Sequence, residues 1–296
     1  MSYSGMPMTI FTSHWCAVLL SLQVLTVSAD SGGLLTQGSL YKGTVKPGSA
    51  VYYAGKEVPV TPEGQFVLGF GRDAQLQQSY TVIAPDGKKT EKVLKLAPRE
   101  YQIQRIEGIA QEYMAPSEAH LKRIQHENTL IRKAREADSR YRAFLDGFIW
   151  PVVGPVTGIY GSQRVFNGEP RRPHFGVDVA APIGTPVKSP ADGRIVLYHP
   201  DMYFSGGTMV IDHGYGVTSS FLHLSKSLVK EGDFVRQGQP VAEVGATGRV
   251  TGAHLDWRLN WYQIRLDPQL VVPPMDQVQG SSAARKPLVE SGSSRL

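Results

Sequence analysis

Five of the eight histidines lie between positions 174 and 254, and three of them sit in contexts that could do chemistry. The first is His174-Phe175-Gly176-Val177-Asp178. The second is Phe221-Leu222-His223-Leu224-Ser225, and the third is His254-Leu255-Asp256-Trp257-Arg258. Imidazole nitrogen and carboxylate oxygen both bind zinc, with bonds near 2.0–2.2 Å. Imidazole also moves protons near neutral pH. His174 and Asp178 would share a helix face, but Pro173, Gly176, Val177, Val179 and Pro182 argue against a helix. On a flat strand they would share a face roughly 13 Å apart, whereas two donors of one zinc lie only ~3–3.5 Å apart. The segment must therefore bend, or His174 must reach in from a loop. On a strand His254, Asp256 and Arg258 point one way and Leu255, Trp257 and Leu259 the other, the pattern of a sheet-floor site. Each motif alone is ordinary sheet; three in one short span are a stronger signal. His199 and His213 read as structural or rim residues. Position alone makes Tyr160 and Arg164 groove candidates.

The elements around these residues read as mainly β. The chain has 296 residues, with 31 Gly and 20 Pro, which favours turn-rich strands. Residues 30–98 are short β-type runs broken by turns such as Pro85-Asp86-Gly87-Lys88, the pattern of a small β-sandwich. Gly69-Phe70-Gly71 is a turn and not a dinucleotide loop, because no helical pattern follows. Residues 99–148 form a linker. Within it, helical spacing from Ser117 as N-cap to Leu145 predicts one helix, ended by Gly147. Its solvated face would carry Lys122, Arg132, Lys133, Arg135 and Arg142. Strands return over 149–272. The Ser/Gly/Pro/Gln-rich 273–296 reads as a disordered tail.

Residues 1–29 contain no Lys, Arg, Asp or Glu, and they end in Val27-Ser28-Ala29 after an apolar run. This reads as a cleaved signal peptide, with an apolar run too short for a membrane span. Cys16, the only cysteine, lies within it, so neither a disulfide nor a cysteine nucleophile is expected in the mature chain. The formal charge of +5 suits an anionic partner. The absence of RNP, zinc-finger and helix-turn-helix patterns makes nucleic acid the weaker choice.

The order "RPHFGVDVAAPIGTPVKSPADGRIV", "MVIDHGYGVTSSFLHLS", "VKEGDFVRQGQPVAEVGATG" and "GAHLDWRL" resembles the lysostaphin/LytM-type zinc endopeptidases of peptidoglycan over roughly residues 149–270. Residues 31–98 resemble the N-terminal β module that precedes this domain in some Gram-negative relatives. The resemblance implies a LytM-type antiparallel, barrel-sandwich-like domain and one zinc per chain, held by His174, Asp178 and the residue at 256. It also implies that His223 and His254 act on the water and the transition state. The family pattern has histidine at 256; here it is Asp256, another zinc-ligand type. The extra carboxylate would weaken the metal as a Lewis acid, an effect that Arg258 on the same face would partly offset. The implied activity is hydrolysis of peptide cross-links of peptidoglycan in the periplasm or cell envelope. An envelope regulator or amidase is a further possible partner. The rival reading is a catalytically silent murein-binding protein that activates an amidase. A third, weaker one is a lipoyl-like module, from the turn Gly232-Asp233-Phe234-Val235-Arg236-Gln237-Gly238.

Overall fold

The computed structural model describes residues 25–26, 34–107 and 117–278. Of the expected leader only Leu25 and Thr26 fall within this set, paired in parallel with Lys92 and Val93. Cys16 lies outside it.

The N-terminal module is built from short antiparallel strands. One ladder pairs Leu40–Thr44 with Gln65–Gly69. A second sheet runs in the order Lys89–Lys95, Gln77–Ile83, Ala50–Tyr53, Lys56–Val58. Alternation along these strands turns Tyr41, Val51, Phe66, Leu68 and Tyr80 inward, all buried. The same hydrophobic cluster includes Leu259, Trp261 and Leu266 from the C-terminal half. Trp261 stacks on Tyr53 at 5.9 Å between ring centroids. Gly69 lies so close that any side chain there would strike the Trp261 Cβ. Arg99 adds an ion pair to buried Asp267 at 2.8 Å. The two modules therefore share one core.

The C-terminal half is built on a ten-stranded antiparallel sheet, beside which Gln163–Phe166 and Glu169–Pro170 form a small sheet with Ile103–Ile106, and no closed barrel forms among the described residues. Its central path runs Gly193–Met202, Gly206–Gly214, Val217–Ser227, His254–Trp261, Val177–Ala180, Val156–Gly158. All nine residues of Gly206–Gly214 are buried, so this strand anchors the sheet. A second core gathers Val177, Val179, Met209, Phe221, Leu255 and Trp257 beneath it. Pro273 to Val278, the start of the expected tail, packs on this core: Trp150 Nε1 donates to the Pro273 carbonyl at 2.7 Å, and Met275 and Val278 lie against the cluster.

The linker helix is shorter than the spacing predicts. It spans Glu118–Ala134, and Ala143–Asp146 is a separate turn. The reason is tertiary: Tyr215 N–H donates to the Ser139 carbonyl at 2.9 Å, and the backbone of Tyr141 lies directly on Gly214. That contact holds the chain extended where the sequence alone would continue the helix. The helix also turns differently from expectation. Leu121 is exposed, whereas Arg135, assigned to the solvated face, is only 5% exposed. Leu130, Ile131 and Ala134 pack on Leu197, Met202 and Val210. No described helix is long and apolar enough to cross a membrane.

A shared core should make the two halves unfold together. Trp261→Ala should cost about 3–5 kcal/mol and split a single calorimetric transition into two. Two transitions in the unmutated chain would show that the halves are independent.

Candidate metal and catalytic centre

The floor of the site is a pair of antiparallel strands. Asp178 lies directly opposite Asp256, and Ala180 opposite His254. Side chains directly opposite share a face, so both carboxylates and His254 rise on one side. Val177, Val179, Leu255 and Trp257 fill the other side, fully buried. This is the alternation expected for 254–258. Two glycines make room for the acids. A side chain at Gly158 would strike the Asp178 carboxylate, and one at Gly176 would strike Asp256.

His174 reaches in from a loop. Its backbone N–H donates to the Ser162 carbonyl and its carbonyl accepts from Gly161 N–H, each at 2.8 Å. The chain then bends at Gly176 before entering the strand Val177–Ala180. This is the loop-and-bend route that the spacing argument requires.

His223 arrives by a different device. Leu222 pairs with Asp256 and Phe221 with Trp257, so regular alternation would send His223 into the core beside Phe221. Instead the strand Val217–Ser227 carries one extra residue between the pairs Met209↔Phe221 and Gly207↔Leu224. His223 sits in this bulge with φ +65°, and its N–H donates to the Ser205 carbonyl at 2.8 Å. A left-handed backbone at a non-glycine residue costs free energy and is found where a side chain must be re-aimed. Here it places the imidazole 4.9 Å, ring to ring, from His254.

One ring nitrogen of His174 and one carboxylate oxygen each of Asp178 and Asp256 all lie within 4.8 Å of one another. His174 Nε2 and Asp178 Oδ1 are 3.2 Å apart, the separation of two donors on one metal. Both atoms are buried and, beyond this contact with each other, neither has a hydrogen-bond partner among the described residues. Buried polar atoms rarely stay unpaired, so the donor set fits a zinc-sized cation. The two further histidines are fixed in one tautomer. His223 Nδ1 faces the Thr247 carbonyl and His254 Nδ1 the Gly252 carbonyl, each at 2.9 Å. A carbonyl can only accept, so each Nδ1 carries hydrogen and each neutral Nε2 is left with a lone pair. The Nε2 of His254 stands 3.9 Å from Asp178 Oδ1.

Asp256 is buried and heavily engaged. Arg258 donates through Nε to Oδ1 at 3.0 Å and Oδ2 at 3.1 Å, and through a terminal nitrogen to Oδ2 at 2.6 Å. Burial alone would raise the Asp256 pKa, but the Arg258 charge outweighs it and holds the carboxyl below its ordinary range. Burial works against the charged form of His174, yet Asp178 and Asp256 raise its pKa. His223 is pushed down, mainly by burial.

His213 is fully buried between the Asp192 carbonyl at 2.8 Å and Ser219 Oγ at 2.9 Å, a structural histidine. His199 accepts from Asp201 N–H away from the centre. Tyr160 lines no groove. It is 1% exposed, and its hydroxyl donates to the Arg265 carbonyl. Arg164 lies on an exposed strand position paired to the Gln104 register. Sequence reasoning missed Arg172, Arg265 and the buried Arg135. No local motif marks them, because they meet only across the fold.

Residues 172–268 match peptidase family M23. The chain is 32% identical to the lysostaphin catalytic domain from Staphylococcus simulans, spanning 39% of this chain and 89% of that domain, with a TM-score of 0.35. The chain carries a peptidase family M23 domain. A crystal structure from Pseudomonas aeruginosa assigned to peptidase M23 matches with TM-score 0.64 and 29% identity, over 80% of this chain and 95% of that one. This match takes in the N-terminal module as well as the M23 domain. The curated relative named peptidoglycan DD-endopeptidase ShyB, from Vibrio cholerae, is 41% identical over 122 residues, which is 41% of this chain and 26% of ShyB. The chain thus spans about a quarter of the length of the curated relatives it matches.

Arg258→Gln should cost metal-free protein about 3–5 kcal/mol, because it leaves Asp256 buried and uncompensated opposite Asp178. Added zinc should restore part of that loss in urea titrations; a variant as stable as the parent in chelator would refute the pairing argument. His213 gives a separate pH effect. Burial holds its pKa down from 6.5 to about 4. A folded-state pKa below the unfolded value makes stability full above pH 6.5 and lost as pH falls towards 4. His213→Gln should flatten that part of the stability–pH curve.

Proposed function

We propose that the chain is a zinc-dependent endopeptidase that hydrolyses peptide cross-links of peptidoglycan in the cell envelope. The observation that carries this is the meeting of His174, Asp178 and Asp256 at one place, with His174 Nε2 and Asp178 Oδ1 buried and partnered by nothing but each other among the described residues. Family M23 and relatives named peptidoglycan DD-endopeptidases support the reaction class and the substrate. A fold neighbour from Vibrio cholerae is described as a zinc-containing peptidase, which agrees with the donor chemistry.

In this reading His174, Asp178 and Asp256 hold the zinc. A zinc ion so held supplies Lewis acidity towards the scissile carbonyl and towards water. The protein supplies the proton path. His223 and His254 present Nε2 lone pairs to the same space, and burial keeps His223 in the neutral, proton-accepting form. One accepts the proton of the attacking water. Once charged, it can donate to the leaving amine, and the other can donate a hydrogen bond to the developing oxyanion only when it too carries a proton on Nε2. Arg258 keeps Asp256 ionised and oriented. The floor strands, locked from below by Trp257 and Leu255, hold both carboxylates in register.

One observation favours a second reading. Arg258 already occupies both oxygens of Asp256, as it would in a silent murein-binding domain that activates an amidase. Metal analysis with digestion of purified murein separates the two. His174→Ala and Asp178→Ala should lose zinc and activity together, and Asp256→Ala should strip the metal. His223→Ala should retain zinc and lose about 10²–10⁴-fold in turnover. Stoichiometric zinc and full activity in Asp256→Ala would remove that residue from the ligand set. A wild-type chain that neither binds zinc nor cuts murein would establish the silent reading.

A further inference from the structure

A cavity of about 710 Å³ opens beside the metal centre, between the helix Glu118–Ala134 and the sheet. Its wall includes Arg135, Arg172, Arg249, Arg258, Arg265 and His223. Among the described residues, Arg258 alone of these arginines has a carboxylate partner, Asp256. Arg135 is 5% exposed with Nε unpartnered, and Arg265 has a buried Nη1 unpartnered. Arg172 and Arg265 both lie over the ring of Phe175, at 5.6 and 5.9 Å, so one aromatic side chain anchors both guanidinium groups at the cavity. Burial first, and the neighbouring arginines second, drive the pKa of Arg135 down, and that of Arg265 to about 9. Desolvated guanidinium groups without an anion are costly. Fold stability does not require this arrangement, since an apolar lining would serve the core better.

We propose that this cavity is a subsite for a free carboxylate of the peptide substrate, bound by Arg135, Arg172 and Arg265 while the neighbouring amide lies at His223 and the metal centre. This rests on the peptidase reading and adds the substrate's chemical class: peptides carrying a carboxylate close to the scissile amide. Two features select a peptide carboxylate over a free small anion. The cavity is continuous with His223 and Arg258 at the cleavage centre, so an anion here is placed to be part of the molecule being cut. The volume is also far larger than one small oxyanion needs. Guanidinium forks match carboxylate bidentately, which gives orientation as well as affinity.

The test compares two cross-linked muropeptide dimers, one with a free carboxylate beside the scissile amide and one with that group amidated. For the full zinc-loaded chain, amidation should raise KM about tenfold with little change in kcat. Arg265→Gln should raise KM for the free-acid dimer by a similar factor and leave the amidated dimer unchanged. Arg265→Lys should recover part of the loss. Equal KM for the two dimers, or an equal effect of Arg265→Gln on both, overturns the proposal. Inorganic phosphate provides a further arm: competition by phosphate without any effect of amidation assigns the cavity to a free anion and also overturns it. If Arg265→Gln does not give the parent circular dichroism spectrum, Arg172→Gln takes its place. Calorimetric titration of the uncross-linked acid and amide peptides separates this inference from the activity. Preference for the acid without any cleavage sinks the peptidase reading alone. Cleavage without preference sinks the subsite alone.

Discussion

Asp178 faces Asp256 across an antiparallel ladder, and the rest of the site is arranged around that pairing. Like charges directly opposite destabilise a sheet, more so when one is buried, as Asp256 is. The register cannot slip to relieve the repulsion. A one-residue shift would carry Val177, Val179, Leu255 and Trp257 out of the core. The fold therefore keeps the acids together and surrounds them with positive charge and space. Arg258 comes from the same strand face, two residues on. His174 comes from the loop before the strand. Gly158 and Gly176 clear the volume that the carboxylates fill. Two acids against one arginine and one titratable imidazole leave a site that favours a further cation.

Rigidity comes from outside the site. The strand His254–Trp261 contributes Asp256 and Arg258 at its middle and Trp261 at its end. Trp261 is embedded in the core shared with the N-terminal module. The same strand thus ties the floor to both halves of the molecule. His223 needs that support. Its positive φ and bulge persist only if the surrounding ladder holds them, and the flanking strand Gly206–Gly214 is buried throughout.

Much of this was legible in the sequence because it depends on short periods. Alternation at 254–258 gave the two faces of the floor strand. The Pro- and Gly-rich approach to Val177 required the bend that brings His174 in. The β-rich fold class followed from turn spacing and from the resemblance over roughly residues 149–270. What could not be read depends on tertiary contact. Alternation alone would have aimed His223 at Phe221, and nothing in Phe221-Leu222-His223 announces a bulge. The helix was extended to Leu145 because its spacing continues, whereas the docking of Ser139 and Tyr141 on Tyr215 and Gly214 stops it at Ala134. Arg135 was placed in solvent by the same periodicity, and the arginine cavity became invisible with it. Its members are scattered from 135 to 265 and share no motif.

The exchange of histidine for aspartate at 256 looks different once its partner is in view. Taken alone, a second carboxylate removes one unit of positive charge from a site of two imidazoles and one carboxylate. It should then blunt the Lewis acidity of a bound zinc. Arg258, however, meets Asp256 through three hydrogen bonds of 2.6–3.1 Å and draws charge away from both oxygens. Asp256 and Arg258 together carry no net charge, like one neutral imidazole. Their combined charge with His174, Asp178 and Zn²⁺ is +1, the same as for the histidine-containing set. The carboxylate keeps lone pairs on the side away from Arg258, so pairing with Arg258 leaves an edge with which Asp256 would hold the zinc of the proposed site. In electrostatic terms the aspartate and arginine would act towards the proposed zinc as one composite ligand. The alternation of the strand makes that possible, because it puts positions 256 and 258 on the same face.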